Sequence, residues 1–160
     1  MRRKQIGLYI HIPFCKQKCS YCDFCSYAEK QDLISKYIKC LLQEIKEVGS
    51  NNRDDFENGK DDLFSVKTIY IGGGTPSLIE SKYIVQIMEE IKSNFELDEN
   101  AEITIEVNPG TVTLEKLEDY NKAGINRLSI GLQSTHEHLL KEIGRIHTYL
   151  DFLDTFRFAR

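Results

Sequence analysis

The 160-residue sequence has no apolar run near the roughly 18 residues that a membrane-spanning helix requires, so no transmembrane segment is expected. It also lacks a surplus of positive charge: 21 Lys and Arg against 25 Asp and Glu leave a net charge of −4. A protein that holds nucleic acid through its phosphates has the opposite balance, and no nucleic-acid partner is expected. There is no spread of paired cysteines. Five are present, and four of them, Cys15, Cys19, Cys22 and Cys25, crowd into residues 15–25. An odd number at tight spacing is not a secreted disulfide framework. The basic start, Met1-Arg2-Arg3-Lys4, precedes a stretch too short and polar for a signal-peptide core. A solvated tail and a reduced, cytoplasmic setting are expected.

What is present suits one globular domain. Hydrophobic residues make up 41% and charged residues 29% of the chain, and the length allows a core of its own. Strand patterns and helix patterns alternate along it. Strands are expected at 8–12, 66–71, 101–107 and 127–132, where β-branched and apolar residues cluster between turn signals. Helices are expected at 32–48, 80–95, 113–123, 135–143 and 149–160 from apolar residues at helical spacing. Asp32 is read as near the first helix start and Gly49 as its stop, with Thr113 and Gly124 bounding the third. Residues 50–62 are rich in Asn, Asp and Gly and are read as a surface loop. Cys40 is read as a small core residue on the buried face of the first helix. Strands spaced by helices imply βαβ units and a parallel sheet. Four units make a partial (β/α) barrel, because a closed one takes about 250 residues. The pattern stops at Arg160 within a helix, as expected of the N-terminal part of a larger core.

The chemistry concentrates at Cys15-Lys16-Gln17-Lys18-Cys19-Ser20-Tyr21-Cys22, directly after the first strand. Functional groups in parallel α/β sheets gather at the C-terminal ends of strands. Soft thiolates there select an iron–sulfur cluster or zinc. Spacing alone leaves three readings: a cluster held by three cysteines with one iron open, a zinc site using Cys25 as fourth ligand, and a group of plain thiols.

The Cys-x3-Cys-x2-Cys spacing resembles the signature of radical S-adenosylmethionine (SAM) proteins. Longer phrases narrow the likeness: Leu8-Tyr9-Ile10-His11-Ile12-Pro13-Phe14-Cys15, Tyr70-Ile71-Gly72-Gly73-Gly74-Thr75-Pro76-Ser77, Glu106-Val107-Asn108-Pro109, Arg127-Leu128-Ser129-Ile130-Gly131-Leu132-Gln133-Ser134, and Leu140-x3-Gly144-Arg145-x-His147. Together they resemble the oxygen-independent coproporphyrinogen III oxidase family, and most of all its heme-chaperone (HemW-type) branch.

The resemblance implies a [4Fe–4S] cluster on Cys15, Cys19 and Cys22, whose open iron chelates SAM so that an electron can cleave the sulfonium bond to a 5′-deoxyadenosyl radical. It implies SAM contacts from Tyr9, Tyr21, Gly73, Gly74, Thr75, Glu106, Gln133 and Arg145. Tyr9 would pack near the cofactor, Tyr21 would stack on adenine, Glu106 would accept from ribose hydroxyls, and Arg145 would pair with the SAM carboxylate. Read without the family, Tyr9 is a core aromatic, and Glu106, Gln133 and Arg145 are surface polar residues. His11 and His147 are read as local hydrogen-bonding histidines. No residue is assigned a catalytic role.

Members with oxidase activity carry a fourth cysteine two residues after the third. Phe24 stands there in this chain, and Cys25 follows it. Only eight residues precede Tyr9, where the oxidases carry a longer segment. The first departure leaves Cys25 as a bystander, a spare ligand or a redox-sensitive thiol; the second favours a heme-handling protein, with heme as a further ligand and an electron donor and a hemoprotein acceptor as partners. Oxidative decarboxylation of coproporphyrinogen III is the alternative activity, and a non-catalytic zinc fold is the alternative of another class.

Overall fold

A computed structural model describes residues 3–59 and 62–160. Among these residues the main sheet has four strands, all parallel, in the order β1 (Arg3–Ile12), β4 (Leu63–Gly73), β5 (Glu96–Val107) and β6 (Arg127–Ile130). A two-residue parallel pair, β2 (Phe14–Cys15) and β3 (Tyr27–Ala28), brackets the cysteine loop. Three helices make the crossovers: α1 (Ile34–Glu57), α2 (Ser81–Asn94) and α3 (Leu114–Lys122). Two more, α4 (Glu137–Glu142) and α5 (Tyr149–Phe158), follow β6. Neighbours in the sheet are successive βαβ units. Right-handed crossovers therefore lay α1, α2 and α3 on one face.

Alternation along each strand sorts the two faces. Ile10, Ile12, Ile69, Ile71, Ile103, Ile105 and Val107 are buried among Ile38, Leu41 and Ile45 of α1 and Ile84, Ile87, Met88 and Ile91 of α2. Each such side chain contributes roughly 1.5–3 kcal/mol of burial. The intervening positions, Tyr9, His11, Tyr70, Thr104, Glu106, Arg127 and Ser129, are polar or aromatic and take the opposite face. The architecture is the expected partial barrel, with a parallel sheet of four β/α units.

Four local expectations are corrected. Residues 50–57 are not loop but the last two turns of α1. Arg53, Asp54 and Glu57 face solvent there, while Asn52 extends the buried stripe Ile38, Leu41, Ile45 and Gly49. Its amide clips the helix to the start of β4: Nδ2 donates to the Asp62 carbonyl at 3.0 Å, and Oδ1 accepts from Phe64 N–H at 2.9 Å. The helix ends at Asn58, followed by Gly59 in the left-handed region (φ 69°). Residues 60 and 61 of the expected loop lie outside the described residues.

Gly49 is not a helix stop. It lets α1 approach the end of α2, since a Cβ there would sit 2.7 Å from Asn94 Cβ and from its carbonyl oxygen. Asp32 lies in a short 3-10 turn, Gln31–Leu33, and α1 begins without a side-chain cap.

Cys40 is exposed rather than core. It lies two residues from buried Ile38, roughly 200° around the helix. Thr113 does cap α3, accepting from Lys116 N–H, and Gly124 stops it with φ 98°.

Candidate functional site

The C-terminal ends of β1, β4, β5 and β6 form one rim, and the cysteine loop lies across it. Cys15 is buried, and Cys19 and Cys22 are half-buried. Ser20 N–H donates to the Ile143 carbonyl at 3.2 Å, and Gln17 Nε2 to the Gly144 carbonyl at 3.1 Å. These bonds tie the loop to the end of α4. His11, on β1, holds its other end: Nε2 lies 2.8 Å from the Cys25 carbonyl. A carbonyl only accepts, so Nε2 carries the hydrogen, and Nδ1 is left to accept from the Tyr9 hydroxyl at 3.3 Å.

The glycine turn after β4 comes close to the loop. Gly74 N–H donates to the Ile12 carbonyl at 2.8 Å, and Thr75 N–H to the Phe14 carbonyl at 2.8 Å. A Cβ on Gly74 would stand 2.8 Å from the Phe14 carbonyl oxygen and 3.0 Å from Cys15 Sγ. Gly73 has φ 116°, and a Cβ there would strike the His11 ring at 2.8 Å. Glycine at these two positions is thus a steric requirement.

Glu106 ends β5 facing this turn. Its Oε2 accepts from Gly73 N–H at 3.2 Å and its Oε1 from the Tyr70 hydroxyl at 2.8 Å. A carboxylate has about four acceptor sites, so room remains for hydroxyl donors. Burial, then the bond to Glu106, hold the Tyr70 phenol above its usual value. Tyr9 stacks on Tyr70 with ring centres 6.2 Å apart, yet is 54% exposed. It is not the core aromatic that the bare sequence suggests. Its phenol is also raised, first by burial and then by the Glu106 charge. Tyr21 projects from the loop, half exposed; burial raises its phenol while Arg145 pulls it down. Gln133 adopts a left-handed backbone (φ 68°), unusual for a residue that is not glycine. Such a conformation points to a functional constraint.

Arg145 is bonded within the protein on both sides of the cleft. Its Nη2 donates to Asn108 Oδ1 and to the Gly131 carbonyl, both at 2.7 Å, and Nη1 lies 3.6 Å from Cys19 Sγ. Its Nε is buried with no partner. The guanidinium braces the loop against the ends of β5 and β6, while its Nε–H and the second Nη1 hydrogen make none of these bonds.

These groups surround a cleft of about 190 Å³ lined by Tyr21, Cys22, Gly73, Gly74, Thr75, Glu106, Asn108, Gln133 and Arg145. Every expected site residue except Tyr9, Cys15 and Cys19 lines it directly. Tyr9 sits behind through Tyr70, and Cys15 and Cys19 touch it through Thr75 and Arg145. Asn108 and Tyr70 also belong to the site; both stand within phrases that carry the family resemblance, but the sequence assigned neither a role of its own. His11 and His147 do make local bonds: His147 is buried and its Nε2 donates to the Leu132 carbonyl at 3.2 Å. Cys25 is exposed, 3.6 Å from the Tyr27 hydroxyl.

The donor set suits an iron–sulfur cluster. Three soft thiols lie in one loop, two of them already receive hydrogen bonds, and the missing Cβ of Gly74 leaves Cys15 Sγ uncovered on that side. Among the described residues no three His, Cys, Asp or Glu side chains converge to hold a single ion. A cluster does not require that convergence, because each cysteine binds a different iron.

A parallel partial barrel with a cysteine loop and a glycine turn on one rim defines a class of SAM-dependent cluster proteins. The Radical SAM superfamily matches residues 9–160, and the chain belongs to it. It is 44% identical over 143 residues to the heme chaperone HemW of Haemophilus influenzae, covering 89% of this chain and 36% of that protein. The heme chaperone HemW of Escherichia coli is likewise 44% identical, with 89% and 35% covered. Among solved structures it resembles the coproporphyrinogen III oxidase HemN of Escherichia coli, described as a radical SAM enzyme, with TM-score 0.82 and 28% identity over 96% of this chain and 34% of that one. The chain therefore spans about a third of the length of these relatives. Membership of the superfamily implies a [4Fe–4S] cluster and SAM. No helix among the described residues is long and apolar enough to cross a membrane.

Proposed function

We propose that Cys15, Cys19 and Cys22 hold a [4Fe–4S] cluster with one iron open, that SAM fills the adjoining cleft, and that the protein handles heme for delivery to a hemoprotein. The observation that carries this reading is the meeting of cysteine loop, glycine turn, Glu106 and Gln133 on one rim, in a chain 44% identical to heme chaperones. When bound, the cluster supplies the electron that an external donor provides and that SAM accepts.

The protein's own residues do the rest. The backbone of Gly73, Gly74 and Thr75 meets the amino-acid end of SAM, where side chains would obstruct it. Glu106 accepts from ribose hydroxyls on the lone pairs that Tyr70 and Gly73 leave free. Tyr21 offers an aromatic face to adenine. Arg145 contributes charge and its unused Nε rather than a free fork toward the SAM carboxylate. Cys25 stays outside the ligand set, bonded to Tyr27.

Oxidative decarboxylation of coproporphyrinogen III is the second reading, favoured by the TM-score of 0.82 to an oxidase. Heme titration on a chain extended to the relatives' length, beside product analysis with coproporphyrinogen III, separates the two. Stoichiometric heme binding without decarboxylated product supports the chaperone reading, and product formation overturns it. A zinc fold would give a colourless protein after anaerobic purification, whereas a cluster gives a brown one.

A further inference from the structure

Thr75, Asn108 and Arg145 form an unbroken run of hydrogen bonds between two of the three loop thiols. Thr75 Oγ1 lies 3.6 Å from Cys15 Sγ and 3.1 Å from Asn108 Nδ2. Asn108 Oδ1 lies 2.7 Å from Arg145 Nη2, and Arg145 Nη1 lies 3.6 Å from Cys19 Sγ. The chemistry of the groups fixes the direction of every bond. Arginine has no acceptor, so the atom of Asn108 facing it is the oxygen. The amide nitrogen then faces Thr75 and donates. The Thr75 hydroxyl, accepting there, has its own hydrogen free for Cys15 Sγ.

We propose that Asn108 is a positioning residue that keeps both thiols supplied with hydrogen bonds and thereby raises the reduction potential of the cluster they hold. The proposal rests on the cluster reading above. Hydrogen bonds to cluster sulfurs stabilise the extra negative charge of the reduced state, and they are among the features that set cluster potentials. The backbone of Asn108 is anchored independently. Its N–H donates to Ser77 Oγ at 3.1 Å, and its carbonyl accepts from Thr111 Oγ1 at 2.6 Å. The side chain is thus free for the relay.

The relay also distinguishes Asn from its isostere. In Asn108→Asp both side-chain oxygens accept. Arg145 keeps its partner, but the Thr75 hydroxyl turns from Cys15 to the new carboxylate. One thiol loses its donor and a negative charge is added beside the site. Asn108→Leu removes the link without adding charge.

The test is the midpoint potential of the reconstituted cluster, measured by a redox titration followed through its paramagnetic signal. Iron and sulfide content is measured first. If wild-type protein holds no cluster, the cluster reading itself fails. With equal cluster loading, both variants should titrate at lower potential than wild type, Asn108→Asp further than Asn108→Leu. Thr75→Val should lower it too, and combining it with Asn108→Asp should give less than the sum of the two shifts. Ser77→Ala, which loosens the backbone anchor but leaves the three donors in place, should not move it. Loaded Asn108 variants at the wild-type potential overturn the proposal, as does a Ser77→Ala shift as large as that of Asn108→Asp.

Discussion

The two faces of one sheet teach different things about this protein. On the helix side, Ile10, Ile71 and Ile105 occupy neighbouring strands and are buried under α1 and α2. On the other side, one residue away on each strand, stand Tyr9, Tyr70 and Glu106. Strands of a parallel sheet covered on both faces usually read as continuous apolar runs. These alternate, and the polar side is the one that meets the cysteine loop. The apolar face decides whether the chain folds, and the polar face decides what it holds.

Substitutions on the helix side sharpen that contrast. Ile105→Ala should lower stability by about 2–5 kcal/mol, read from urea unfolding. A loss near zero would mean that the helix face is not the core. Asn52→Ala, toward the far end of α1, should cost about 1–3 kcal/mol by removing the clip to β4 and leaving the Phe64 N–H without its acceptor. Helix content by circular dichroism should fall as residues 50–57 fray.

Further along, Thr148 caps α5 by exchanging bonds with Asp151, a Thr-x-x-Asp capping box. Thr148→Ala should cost about 1 kcal/mol, measured the same way, with cluster loading unchanged.

The pH dependence of the rim should be smaller. Burial, above all, holds His147 below its ordinary value of 6.5. Below about pH 6.5 the unfolded chain takes up a proton that the folded chain resists. Its contribution to stability is complete above that pH and is lost as pH falls through the folded value. Wild type should therefore lose more stability than His147→Gln between about pH 7 and pH 5.5. Equal losses would contradict the assignment.

Much of this was legible in the sequence. Period-two and period-3.6 patterns placed the sheet and its crossovers, because both report burial directly. The cysteine and glycine phrases marked the rim, because few other residue types can do that chemistry in so little space. Composition misled at residues 50–57, where one buried amide, Asn52, outweighs the polar residues on either side of it. Gly49 looked like a stop because a glycine needed for close helix packing and a glycine needed for positive φ are identical in sequence. Asn108 falls just past the strand expected at 101–107, and nothing in its own neighbourhood marks its role. Its partners Thr75 and Arg145 lie 33 and 37 residues away, and only the fold brings them to it.

The smallest change to the fold, and the largest to the chemistry, should come from the ligand side of the rim. The most direct test of the central claim is the paramagnetic spectrum of the reduced protein, in a chain extended to the relatives' length, with and without saturating SAM. A three-cysteine cluster with an open iron should give a spectrum that changes on adding SAM, with the change reduced in Glu106→Gln. A fully loaded cluster whose spectrum is indifferent to SAM would contradict it.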